Sequence, residues 1–125
     1  MKENEISYQI IGAVYEVYKK LGAGLLEGVY EEILKYELEK RGLKVDTQVQ
    51  IPVVYDGLSF GNGFRADMIV EDKVIVELKS VNVLQDIHFK QLLTYLKLSN
   101  LHLGLLINFN SNNIHDGIRR VVNNL

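Results

Sequence analysis

The chain has no cysteine, no tryptophan and a single proline, and it shows neither a long apolar run nor a large excess of one charge. Without cysteine there is no disulfide, no thiolate nucleophile and no cysteine-ligated zinc, so any metal must rest on oxygen or imidazole ligands. The same absence agrees with a reducing compartment. No stretch approaches the roughly 20 apolar residues that span a bilayer, and the opening MKENEISYQ lacks the apolar segment of a secretion signal. The expectation is a cytoplasmic protein without membrane attachment. The formal net charge of -2 and the pI near 5.9 give no global basic signature of the kind that grips nucleic acid non-specifically. Repeats, low-complexity segments and linkers are also missing. What is present, 125 residues of which 47% are hydrophobic, suits one compact domain over residues 1–125.

Hydrophobic spacing supplies the elements. Ile6, Ile10, Val14, Val17 and Leu21 recur at helical intervals, which predicts a helix over about 4–20, stopped by Gly22-Ala23-Gly24. Leu26, Val29, Tyr30, Ile33 and Leu34 predict a second helix, with Glu27, Glu31 and Glu32 in its first turns and Lys40-Arg41-Gly42 at its end, as the macrodipole favours. The period then changes to two. Leu43, Val45, Thr47, Val49 and Ile51 alternate with polar residues, Pro52 marks an edge or boundary, and Asp56-Gly57 signals a turn between two short strands. Strands are predicted at 64–70 and 74–79, a third helix over about 86–98, and an apolar strand over 101–109. The tail, with Ile114, Ile118, Val121 and Val122, suits a helix, while Asp116-Gly117 equally suits a turn into a last strand. The order helix, helix, β-meander, helix, strand predicts an α/β fold with a mixed central sheet flanked by helices.

VIVELKS, Val74 to Ser80, stands out because it carries Glu77 and Lys79 inside an otherwise apolar strand. An unpaired buried charge costs several kcal/mol, roughly, so such groups need a partner or a task. Strand alternation puts Ile75, Glu77 and Lys79 on one face, and Arg65, Asp67 and Ile69 on one face of the preceding strand. A three-residue loop, Glu71-Asp72-Lys73, sets Asp67 opposite Glu77, whereas a two-residue loop shifts the pairing by one unless a bulge restores it; we expect the first. Carboxylates about 5 Å apart across a strand pair repel, and a hard divalent cation between them relieves that repulsion, with Mg²⁺ the natural candidate. A lysine beside the cation can orient or deprotonate water and stabilise charge on a phosphoryl group. An isolated Glu-x-Lys is ordinarily a solvated surface feature. Here it follows Asp67 on a hairpin and precedes a helix with Gln91 and Tyr95 on one face.

These elements resemble a known family. Ala66-Asp67 followed by Glu77-Leu78-Lys79 is similar to the core of the PD-(D/E)XK nuclease superfamily, and Gln91-Leu92-Leu93-Thr94-Tyr95 to the QxxxY helix of its exonuclease-like branch. Gly24-Leu25-Leu26-Glu27-Gly28-Val29-Tyr30 resembles the GxxExxY signature of a group of small prokaryotic proteins within it. Ala66 stands where the superfamily name has proline. The resemblance implies a restriction-endonuclease-like core in which Asp67 and Glu77 hold Mg²⁺, or Mn²⁺ in its place, helped by the Leu78 carbonyl. Lys79 activates or positions the attacking water, Glu27 adds a carboxylate to the metal or its water, and Gln91 and Tyr95 order the lysine, a metal-bound water or a phosphate. Taken alone, Glu27 equally suits dipole compensation, and Gln91 and Tyr95 suit interior hydrogen bonding. Gly24 and Tyr30 read as structural. Of His88, His102 and His115, which lack ligand spacing, only His88 lies near enough in sequence to Gln91 to approach the site.

The expected function is Mg²⁺-dependent hydrolysis of nucleic acid, most readily DNA. Its rival is a nuclease-fold module that binds nucleic acid or protein without turnover. Lys19-Lys20, Lys40-Arg41 with Lys44, and Arg119-Arg120 are local basic groups that a homodimer would join into one track.

Overall fold

The computed structural model describes residues 1–125. Helix α1 (Glu3–Leu21) buries the stripe Ile6, Ile10, Ala13, Val14 and Val17, carries Glu3 and Glu5 in its first turn and Lys19 and Lys20 in its last, and stops at Gly22, whose φ of 67° breaks the helix. Helix α2 (Glu27–Lys40) buries Tyr30, Leu34 and Leu38 beside it. A long hairpin follows, β1 (Val45–Tyr55) and β2 (Leu58–Val70), turned by Asp56 and Gly57 with φ of 52° and 72°, the left-handed pair that a two-residue hairpin requires. Then come β3 (Val74–Lys79), α3 (Asp86–Ser99), β4 (Leu103–Asn108), the single turn α4 (Ile114–Gly117) and β5 (Ile118–Val122).

The five strands form one sheet in the order β1-β2-β3-β4-β5, antiparallel throughout except for β3 and β4, which α3 connects as a parallel crossover. Helices α1 and α2 cover one face over a core that includes Met68, Val70, Val76, Leu105 and Phe109. Helix α3 covers the other, where Leu92 and Leu96 meet Ile51, Ala66, Ile69, Ile75 and Leu106. Strand β4 is therefore buried along its whole length, which explains its near-continuous apolar sequence. Close seating of α3 depends on Gly104, since a Cβ there would stand 2.8 Å from Leu92. No helix is long and apolar enough to cross a membrane.

Two expectations change. The strands flanking Asp56-Gly57 are long, 11 and 13 residues, rather than short, and β2 begins at Leu58 instead of near Phe64. Of the two readings of Pro52, the edge holds and the boundary does not: β1 is an edge strand, which tolerates a missing donor, and the register shifts on either side of the proline absorb the ring. The tail adopts both of its readings in succession, a helical turn and then a strand antiparallel to β4.

Candidate active site

The β2–β3 connection is the three-residue loop Glu71-Asp72-Lys73, with Glu71 and Asp72 in left-handed conformation at φ 54° and 57°. Pairing runs from Val70 with Val74 to Met68 with Val76, so the next level sets Asp67 against Glu77. There the regular ladder ends and side chains take over. The Asp67 amide donates to Glu77 Oε2 at 2.8 Å, and the Leu78 amide donates to Asp67 Oδ2 at 2.9 Å. Each carboxylate is thereby aimed by a backbone N–H of the opposite strand.

The expected common face of Arg65, Asp67 and Ile69 needs correction. Met68 and Val70 pack under α1 and α2, as alternation demands, yet Ala66 and Phe64 lie with Ile69 under α3. In β1, likewise, Val45 belongs to the first core and Val49 and Ile51 to the second. Both strands change face at the level of Gln48 and Asp67, where Gln48 has a left-handed φ of 53°. Strict period-two reading carries a parity across this point that the backbone does not keep.

Asp67, Leu78 and Lys79 open onto a cleft of about 120 Å³ whose opposite wall is α2, with Glu27, Gly28 and Glu31, and whose side is Gln48. Glu27 is the first residue of α2. Its placement depends on Tyr30, which stacks on Phe109 with ring centroids 4.2 Å apart and whose hydroxyl donates to the Gly22 carbonyl while accepting from the Leu25 amide. Gly24, at φ 108°, turns the chain inside that loop, and Ser80 just after β3 donates to the Leu25 carbonyl. The GxxExxY stretch is thus a held loop that delivers one carboxylate. Lys79 is fixed through its backbone, whose carbonyl accepts from the Phe109 amide at 3.0 Å. It pairs in register with Asn108, only 2% exposed, whose side-chain amide donates to the Val81 carbonyl and accepts from the Val81 and Asn110 amides.

Helix α3 approaches from the far side. Tyr95 stacks on Phe64, and its hydroxyl is pushed above the usual phenol range by burial first and then by the charges of Glu77 and Asp67. Gln91, one turn earlier, is exposed and outside the cleft. His88 accepts from the Gln85 amide in a capping box at the start of α3. Glu31, Gln48 and Asn108 were not singled out from sequence. For Glu31 the signal exists, since it lies one turn after Glu27 on the same helical face. A buried asparagine ending an apolar strand is a weaker one, and Gln48 had none.

Glu77 is 7% exposed, and its carboxyl is pushed up to about 8 by burial first and by Asp67 second, with the Asp67 amide and Lys79 acting in the opposite direction. Between the unfolded value of 4.5 and about 8 the native chain holds a proton that the unfolded chain has released. This contribution to stability is fully present below pH 4.5 and is lost as pH rises through 8. Glu77→Gln should therefore remove a decline of a few kcal/mol, in order of magnitude, from the metal-free protein. Urea unfolding of both proteins at pH 5 and pH 8.5 checks this, and equal slopes in the two would contradict it.

The donor set suits a hard cation. Asp67 Oδ2 and Glu77 Oε2 are occupied by amides, while Oδ1 and Oε1 accept no hydrogen bond from the protein. No buried polar atom lacks a partner, so these two oxygens reach solvent. Mg²⁺ typically takes one or two carboxylates and keeps several waters. No group of three acidic or imidazole side chains is gathered as tightly as a metal would hold it, so Glu27 lines the cleft without joining Asp67 and Glu77 in one cluster.

The family model for the PD-(D/E)XK nuclease superfamily matches residues 4–121. No curated protein and no solved structure matches the chain. The match spans all of the helices and strands but the first residue of α1 and the last of β5, including the hairpin that sets Asp67 against Glu77, and by it the chain belongs to the PD-(D/E)XK nuclease superfamily.

Proposed function

We propose that the protein is a Mg²⁺-dependent nuclease that hydrolyses phosphodiester bonds in DNA, and that it falls in the GxxExxY branch of its superfamily. The observation that carries this reading is the pair of facing carboxylates, each with one oxygen held by an amide and the other free of protein hydrogen bonds, of which Asp67 lines a cleft with Lys79 while Glu77 lies buried beside it. Asp67 and Glu77, with the Leu78 carbonyl, would hold the cation, which when bound supplies electrostatic stabilisation and a more acidic water. Lys79 contributes a fixed positive charge to a phosphoryl oxygen and orients the attacking water. Glu27 faces it across the cleft and orders that water from the other side. Tyr95, on the α3 side of the sheet and outside the cleft lining, would contribute only through its hydroxyl toward the carboxylates.

The rival reading is a module that binds nucleic acid or protein without turnover, and the surface charge gives a nucleic-acid version of it little support. Lys20 pairs with Glu16, Lys40 with Glu37, and Lys44 with Asp72 and Asp46, so three of the seven expected basic groups already face carboxylates of the same chain. The deciding experiment offers the purified protein linear, circular and single-stranded DNA and RNA with Mg²⁺, Mn²⁺ or EDTA. Metal-dependent cleavage of DNA is expected. Binding without cleavage under every condition would transfer the assignment to the second reading.

A further inference from the structure

The geometry points to Gln48 as a positioning residue that aims Asp67 into the cleft, locked in place by Glu31 of α2. Left-handed backbone is unfavourable for any residue with a Cβ, yet Gln48 adopts φ 53° in the interior of β1. It lies between the pairs Thr47 with Met68 and Val49 with Ala66, at the same level as Asp67 of the neighbouring strand. At that level both strands exchange faces. With ordinary extended backbone at Gln48, Val49 would continue the α1 and α2 face of Val45. Asp67 would then stand within regular alternation, rather than at a break where its carboxylate reaches the Leu78 amide.

Something must hold this conformation, and the side chain does so. Gln48 Nε2 donates to Glu31 Oε1, one helical turn after Glu27, and both residues line the cleft with Asp67. Burial raises the Glu31 carboxyl, while the Gln48 hydrogen bond and the nearby Arg65 charge oppose that shift. The helix that delivers Glu27 therefore also fixes the bend that turns Asp67.

The kinetic consequence rests on the nuclease reading, whereas the positioning itself is measurable without metal or substrate. Gln48→Val opposes left-handed φ, Gln48→Gly permits it without the amide, and Glu31→Ala removes the acceptor. Hydrogen exchange at the Leu78 amide, which donates to Asp67, is the readout, with the Val76 amide as the reference for global opening. Relative to Val76, exchange at Leu78 is expected to rise about tenfold or more in Gln48→Val and by a smaller factor in Glu31→Ala, and to stay within about threefold in Gln48→Gly. On substrate, Gln48→Val is expected to lower kcat by about 10- to 100-fold with little change in KM, the signature of misplacement rather than lost binding. Unchanged Leu78 exchange in both Gln48→Val and Glu31→Ala overturns the inference, as does a loss in Gln48→Gly equal to that in Gln48→Val. Should Gln48→Val not fold, the Glu31→Ala and Gln48→Gly pair decides alone. A wild-type protein inactive on all nucleic acids would refute the nuclease reading and leave the exchange result standing.

Discussion

Lys79→Ala is expected to lower turnover by about two to four orders of magnitude, the range for loss of one acid–base or electrostatic element acting in the transition state. The backbone of Lys79 is pinned by the Phe109 amide and lies beside the Asn108 clamp, so truncating the side chain should leave the strand end in place. Substrate affinity should change far less than kcat. A phosphate anchor in a binding module would behave differently, with weakened affinity and a salt dependence shallower by roughly one charge. A merely structural ion pair would move neither, and would cost about 0 to 1 kcal/mol of stability. Single-turnover kinetics with a binding titration at two salt concentrations separates the three, and unchanged turnover would remove Lys79 from the chemistry.

The second large effect concerns Asp67. Asp67→Asn should abolish measurable Mg²⁺ or Mn²⁺ binding in a calorimeter while the fold is retained or gains stability. The amide oxygen can still accept from the Leu78 N–H, and the repulsion that helps raise Glu77 is gone. Metal binding equal to that of the wild type would take Asp67 out of the ligand set and much of the proposed mechanism with it.

The facing of Asp67 and Glu77 was legible because a charge inside an apolar strand is costly and therefore informative, and because, of the two loop lengths the sequence allowed, the β2–β3 hairpin adopts the expected three-residue one. The helices were legible for an equally local reason, their apolar period and charged ends. The exchange of faces at Asp67 was not legible. Val45, Thr47, Val49 and Ile51 alternate without interruption in sequence, and a glutamine carries no signal for left-handed backbone of the kind that glycine or asparagine would. Its conformation is tied to a contact with Glu31 of another element, which no local pattern reports. Asn108 was missed for a related reason. Its three hydrogen bonds go to Val81 and Asn110, and the more distant of these segments meets it only after the chain has crossed over through α3.

That crossover also bears on the order in which the molecule is built. The β1–β2–β3 meander closes through short turns and can form early, whereas parallel pairing of β3 with β4 must await a longer loop and a docked helix. Until β4 arrives, the end of β3 has neither the Phe109 amide nor the Asn108 clamp to hold it. A chain emerging from the ribosome would thus have Asp67 and Glu77 facing each other while Lys79 was still unanchored. On the nuclease reading, hydrolytic competence then comes with the final tertiary contacts, and refolding followed by activity should lag behind refolding followed by β-sheet signal.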